Sequence, residues 1–183
     1  MNPVDFLCRS RDFQRRLEES RGRLYRMAYA WTHNAALADD LAQETLAKAL
    51  RKTGQLRDPA AIDAWLFSIL SNCFKDHLRR DRETDGLDGV DMSHNDSPER
   101  LHGRRQVVAR VRDAVAVLSA GQRQVLTLID LEGFAYAEVA DILEVPIGTV
   151  MSRLCRARAA LKELLLDLRP EQVARPAALR RIK

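Results

Sequence analysis

The sequence is poor in large rings, since aromatic residues make up only 5% against 46% hydrophobic residues in all. A core built from it therefore rests on Leu, Ala, Val and Ile, which suits helical bundles. Cysteine is equally scarce: Cys8, Cys73 and Cys155 are odd in number and far apart, with no Cys-x-x-Cys pair and no nearby His. That excludes a disulfide framework and a structural zinc site, and leaves reduced thiols and no metal. Nowhere do about 18 apolar residues run together, and the start, MNPVDFLCRSRDFQRRLEE, is charged from Asp5 onward without an apolar segment. No membrane insertion and no signal peptide are expected, and the location expected is the cytoplasm. No run alternates apolar and polar residues as a half-buried strand does.

What is present is helical period and unevenly placed charge. The 183 residues fit two small helical domains joined by a linker. Lys and Arg number 30 against 26 Asp and Glu, a net charge of +4, which by itself does not imply a nucleic-acid partner. The spacing predicts a first helix over about Asp12 to His33 and a second over about Ala36 to Lys52. The second has Leu37, Leu41, Thr45 and Ala49 on one stripe, and Asp40, Gln43 and Glu44 together on another. Gly54 and Pro59 break the pattern in TGQLRDPAA. The next helix is expected over about Ala61 to Arg82, with Ile62, Leu66, Ile69 and Cys73 inward and Trp65, Ser68, Asn72, Asp76 and Arg79 on a neighbouring stripe.

Glu83, Asp85, Asp88, Asp91, Asp96 and Glu99 then fall in a stretch without Lys or Arg that holds Gly86, Gly89 and Pro98, the composition of an acidic, mobile linker. Helical period returns with Val107, Val111, Val115 and Leu118, and a further helix is expected over about Gly121 to Leu131. Two more, YAEVADIL and IGTVMSRLCRARAALKELLLDL, are separated only by Glu144, Val145 and Pro146, a turn tight enough for a helix-turn-helix. The expected organisation is all-α: a first domain over 1–82, an acidic linker over 83–106, a second domain over 107–167 and a basic tail over 168–183.

The last long helix is the most informative segment. Between Glu144 and Glu163 there is no acid, while Arg153, Arg156, Arg158 and Lys162 supply positive charge. Val150, Leu154, Ala157 and Leu161 share one face, and Ser152, Cys155 and Arg156 point the other way, flanked by Thr149, Met151 and Arg153. Such a helix fits the major groove, with Arg reading guanine and the flanking bases binding phosphate. A solvated basic face is the alternative, and the tight turn weighs against it. The Asp40, Gln43, Glu44 cluster lacks the His, Ser or metal-ligand spacing of a catalytic site, and reads equally as a solvated face or a protein-binding surface. Asn72 is ambiguous between polar surface and base-reading patch. Trp65 by itself reads as core, and His77 as surface.

Two segments together carry a resemblance. ALADDLAQETLAKAL followed by LRDPAAIDAWLFSILSNCFKDHLRR resembles region two of extracytoplasmic-function (ECF) sigma factors of the sigma-seventy superfamily, and LSAGQRQVLTLIDLEGFAYAEVADILEVPIGTVMSRLCRARAALK resembles their region four. The likeness covers about residues 12–82 and 107–166 in the family's order. It implies a sigma factor that binds core RNA polymerase and promoter DNA, directs promoter-specific initiation without being an enzyme, needs no cofactor and is restrained by an anti-sigma protein. By the same resemblance, Asp40, Leu41, Gln43 and Glu44 dock on the polymerase. The loop Thr53–Ala60 with Trp65, Asn72, Asp76, Arg79 and Arg80 handles the melted minus-ten element. Thr149, Met151, Ser152, Arg153, Cys155, Arg156 and Arg158 serve the minus-thirty-five element. The family often has Arg or Lys at the place of Met151, an aromatic or His at Cys155, and Gly at Glu144. The linker's acidity, on the same resemblance, mimics RNA in the polymerase interior. The rival reading is a free-standing regulator that uses only its last domain on DNA.

Overall fold

The computed structural model describes residues 3–56, 58–84 and 104–166, and side chains over 11–56, 58–81 and 108–166. The expected linker and tail therefore lie outside the described residues, apart from the linker's two ends. Seven α-helices and no strand occur among the described residues. They are α1 (Pro3–Thr32), α2 (Ala35–Arg51), α3 (Ile62–Thr84), α4 (Arg104–Val117), α5 (Ala120–Leu126), α6 (Tyr136–Leu143) and α7 (Ile147–Leu165). Helical structure thus continues to Thr84 and resumes at Arg104, so both ends of the expected linker are helix.

Each boundary has a local cause. His33, at φ 50°, ends α1, and the Asn34 side chain accepts from Leu37 N–H to start α2. Two 3-10 turns, Thr53–Gln55 and Pro59–Ala61, carry the chain to α3, the second opened by Asp58, whose Oδ1 accepts from Ala60 N–H at 2.9 Å. The expected Gly121–Leu131 helix is not one regular helix. It begins at Ala120, one residue after Ser119, whose N–H donates to the Gln122 side chain at 3.0 Å, and from Thr127 to Leu131 it widens into a π-turn.

Helices α1 to α3 form one bundle, with Leu24, Trp31, Leu41, Ala49, Ile62, Leu66, Leu70 and Cys73 inside. Helices α5 to α7 form the second around Val125, Leu128, Val139, Ile142, Val150 and Leu154. The two bundles share one continuous core. Phe67 meets Phe134 edge-on at 5.5 Å between centroids, and the Trp31 indole N–H crosses from the first bundle to donate to Thr127 Oγ1 at 2.8 Å. Gln124 reaches Ser71 at 3.5 Å. Arg23 spans the junction more firmly, donating to Asp63 of its own bundle at 2.9 Å and to Glu132 of the other at 2.6 Å, with its guanidinium over the Phe67 ring.

Candidate nucleic-acid and polymerase interfaces

The helix-turn-helix is built as its sequence requires. Helix α6 closes at Glu144, which takes the left-handed conformation (φ 56°, ψ 48°), while Val145 N–H donates back to Ala140 O at 3.0 Å. Pro146 then precedes α7, accepting from Thr149 and Val150 N–H, so three residues suffice to re-aim the chain. Val150, Leu154 and Ala157 are buried, which turns Met151, Ser152, Cys155 and Arg156 outward. Met151 is 55% exposed, an apolar side chain offered to solvent on an otherwise polar face.

Not every residue expected on that face is free to act there. Arg156 lies along its own helix, its Nε donating to Ser152 O at 3.2 Å. Arg153 is half-buried, its guanidinium packed within 3.2 Å of where a side chain on Gly121 of α5 would begin. Arg158 is exposed but forks onto Asp130 at 2.5 and 3.2 Å, a pairing that raises its pKa. Thr149 is half-buried beside the turn.

In the first bundle, Trp65 is half-buried, tilted against Phe13 at 6.3 Å, so it is neither the core residue that its type suggests nor fully exposed. Asn72 and Asp76 are half-buried and Arg79 and Arg80 exposed along the same helix. Arg79 pairs with Asp76 at 3.3 Å, and Arg80 Nε donates to Asp76 O at 3.3 Å. The expected loop is tied from the side, since Arg16 donates to Pro59 O at 2.9 Å.

On α2, Asp40 and Gln43 are exposed, and Gln43 donates to Asp39 at 2.6 Å. Glu44 is half-buried and pairs with Lys48 at 2.9 Å. Leu41 departs from the expected docking set: at 2% exposure it belongs to the core stripe with Thr45 and Ala49, because the turn that presents Asp40 and Glu44 points position 41 inward.

Lys48, Lys75 and Arg123 were not singled out by sequence reasoning. Lys48 lies between the α2 cluster and the α3 stripe, 2.9 Å from Glu44 and 3.9 Å from Asp76, and its bond to Glu44 raises its pKa. Lys75 stands on the stripe formed by Ser68, Asn72 and Arg79 at i, i+4, i+7 and i+11, a spacing that was available from the sequence. Its Nζ donates to Leu143 O at 2.9 Å and pairs with Glu144 at 3.2 Å. Arg123, 5% exposed, donates to Ala116 O at 3.0 Å near the end of α4, and burial pulls its pKa down. Among the described residues, no cluster of three or more metal-type ligands occurs, and no helix is long and apolar enough to cross a membrane.

Comparison with known proteins places both halves. Residues 17–84 match the sigma-70 region 2 family and residues 109–161 the sigma-70 region 4 family, which defines the class as a sigma-70-type initiation factor. The RNA polymerase sigma-H factor of Pseudomonas aeruginosa is 35% identical over 150 residues, 75% of this chain and 78% of that protein. The ECF RNA polymerase sigma factor EcfG of Rhodopseudomonas palustris is 36% identical over 141 residues, 75% and 76% of the two chains. Among solved structures, the sigma factor RpoE in complex with the anti-sigma factor NepR from Bartonella quintana superposes with a TM-score of 0.72 at 33% identity, covering 85% of this chain and 97% of that one. CnrH in complex with the cytosolic domain of CnrY gives 0.62 at 27% identity, covering 87% and 90%. The chain belongs to the ECF RNA polymerase sigma factors, and as an alternative sigma factor it directs promoter-specific transcription initiation.

Proposed function

We propose that the chain directs initiation through three surfaces: a polymerase-docking face on α2, a minus-ten surface on α3, and a minus-thirty-five surface on α7. One observation carries the reading. The outward face of α7 (Met151, Ser152, Cys155, Arg156) is exposed and lies opposite the buried Val150, Leu154 and Ala157, directly after a three-residue turn. Thr149, Arg153 and Arg158 flank it, where phosphate contacts fall. Trp65, Asn72, Asp76, Arg79 and Arg80 combine a half-exposed ring, polar groups and cations, the mixture that holds unstacked bases and backbone. Asp40, Gln43 and Glu44 are left for the polymerase, with Leu41 shaping the helix from inside.

The corresponding division of labour is region two over 1–82, linker over 83–106, region four over 107–167 and a basic tail over 168–183. The polymerase performs the chemistry, and this chain supplies address and register from within the cytoplasm. An anti-sigma protein is the expected restraint, because one solved structure of similar fold is a sigma factor bound to its anti-sigma factor and a second carries another protein on the same fold.

The test is transcription in vitro with core polymerase over single-base variants of a cognate promoter. Arg156→Ala removes an exposed side chain and opens no cavity, so it folds and binds polymerase as wild type does. Where the Arg156 guanidinium holds a base edge through two hydrogen bonds, its removal weakens promoter binding by about 1–3 kcal/mol and relaxes discrimination at one base pair of the minus-thirty-five element. Unchanged transcription from every variant contradicts the assignment of α7.

A further inference from the structure

Three exposed apolar side chains stand at one spacing on α7: Ile147, 48% exposed, Met151, and Cys155, at i, i+4 and i+8. One exposed apolar side chain needs no explanation, but a row of them on a helix rich in cations is a surface with a use. The row runs beside the polar side of the same outward face. There Arg156 donates to Ser152 O at 3.2 Å and its Nη2 lies 3.5 Å from Ser152 Oγ, so the guanidinium is laid along the helix. Between the two sides the face is bare, since Ala159 is small and a side chain on Gly148 would meet nothing within 4 Å. The helix therefore offers an apolar lane and a cationic lane with little between them to hold a partner off. Met151 and Arg156 stand five residues apart, about 7.5 Å along the axis, enough to address different base pairs.

The edges of the base pairs in a major groove carry hydrogen-bonding groups everywhere, and one apolar group, the C5-methyl of thymine. Met suits it, being unbranched and ending in a flexible, polarizable thioether. No acid lies between Glu144 and Glu163, and Arg153, Arg156, Arg158 and Lys162 share the helix, so its charge fits an anionic polymer and makes DNA the occupant of the lane. We propose that Met151 fixes the base preference at one position of the minus-thirty-five element by packing on a thymine methyl, with Ile147 and Cys155 lining the lane on either side of it. The proposal rests on the assignment of α7 to that element. It adds a base pair read without a hydrogen bond to the one that Arg156 reads with them.

The experiment uses the full chain bound to core polymerase and duplex fragments of a cognate promoter. Each thymine of the minus-thirty-five element, on either strand, is replaced in turn by deoxyuridine, which keeps every hydrogen-bonding group and removes only the methyl. Expected is a loss of affinity of about three- to five-fold at one position, the scale of one methyl group taken out of an apolar contact. Met151→Leu keeps that loss, whereas Met151→Gln, of similar length with a polar end, binds the thymine and deoxyuridine promoters alike. An element in which no thymine responds, or a response that survives Met151→Gln, overturns the proposal. It is overturned as well if Met151→Gln weakens association with core polymerase and leaves promoter binding unchanged, since the lane then faces protein. Arg156→Ala separates the two levels. If Arg156→Ala and Met151→Gln both bind every promoter variant as wild type does, the assignment of α7 itself fails. If Arg156→Ala weakens binding while deoxyuridine is silent throughout, only the methyl reading fails.

Discussion

Arg23 shows how a single side chain joins the two halves. Burial works to lower its pKa, and the hydrogen bonds and charges of Asp63 and Glu132 outweigh it, so the guanidinium titrates above its ordinary value and stays charged. The two acids are not equivalent partners, because Glu132 keeps only 15% of its side-chain surface exposed and Asp63 42%. Arg23→Ala strands the more buried acid and is expected to cost about 1–3 kcal/mol in urea unfolding. Glu132→Gln leaves Arg23 paired with Asp63 and is expected to cost less than half as much; equal costs contradict the bridging role. The thiols separate in the same manner. Cys73 is buried, which pushes its pKa up and keeps it protonated, whereas Cys155 is exposed on α7. Peptide mapping after brief treatment of the native protein with a thiol reagent is expected to find Cys155 labelled and Cys73 not. Labelling of Cys73 at the rate of Cys155 contradicts its burial.

At the scale of elements, the π-turn at Thr127–Leu131 has a clear beneficiary. Thr127 Oγ1 donates to Arg123 O at 2.7 Å and accepts the Trp31 indole N–H, so one hydroxyl ties the widened turn to the other bundle. Thr127→Val keeps the shape and orphans a buried indole donor, at an expected cost of about 1–3 kcal/mol, while Thr127→Ser restores most of it. Equal stability of the Val and Ser variants, measured by thermal unfolding, denies the hydroxyl that role. This turn was not legible in the sequence, because the Val125, Leu128 and Leu131 spacing reads the same whether the backbone closes at i+4 or i+5. By contrast α2, α3, α6 and α7 stand within a few residues of where their apolar period and breakers place them, since Asn34, Pro59 and Pro146 are strong local signals. Leu41 was drawn into the docking set by the family resemblance against its own core stripe, and its burial follows the stripe. Arg23 and Glu132 escaped notice because their partners lie 40 to 109 residues away, beyond the reach of any local pattern, whereas the spacing placed Lys75 on the α3 stripe and only its contact with Glu144 was out of reach.

For the whole molecule, the joined core states how the chain rests and the exposed faces state how it works. Trp31 is fully buried, its ring tilted against Phe74 of α3 at 5.6 Å and its N–H on Thr127 of the other bundle. Its N–H is expected to exchange with solvent slowly in the free chain, and fast exchange contradicts the shared core. On the proposed assignment α3 and α7 each read one promoter element, and weak individual contacts become specific only when one scaffold holds both. The measurement closest to the central claim is run-off transcription: purified chain added to core polymerase on sheared genomic DNA, with the 5′ ends of the transcripts sequenced. The predicted result is a set of starts absent with core polymerase alone, preceded by a shared minus-ten and minus-thirty-five pair at one spacing, with the minus-thirty-five preference relaxed at one position by Arg156→Ala. Starts no different from those of core polymerase alone, or starts sharing no upstream pair, contradict it.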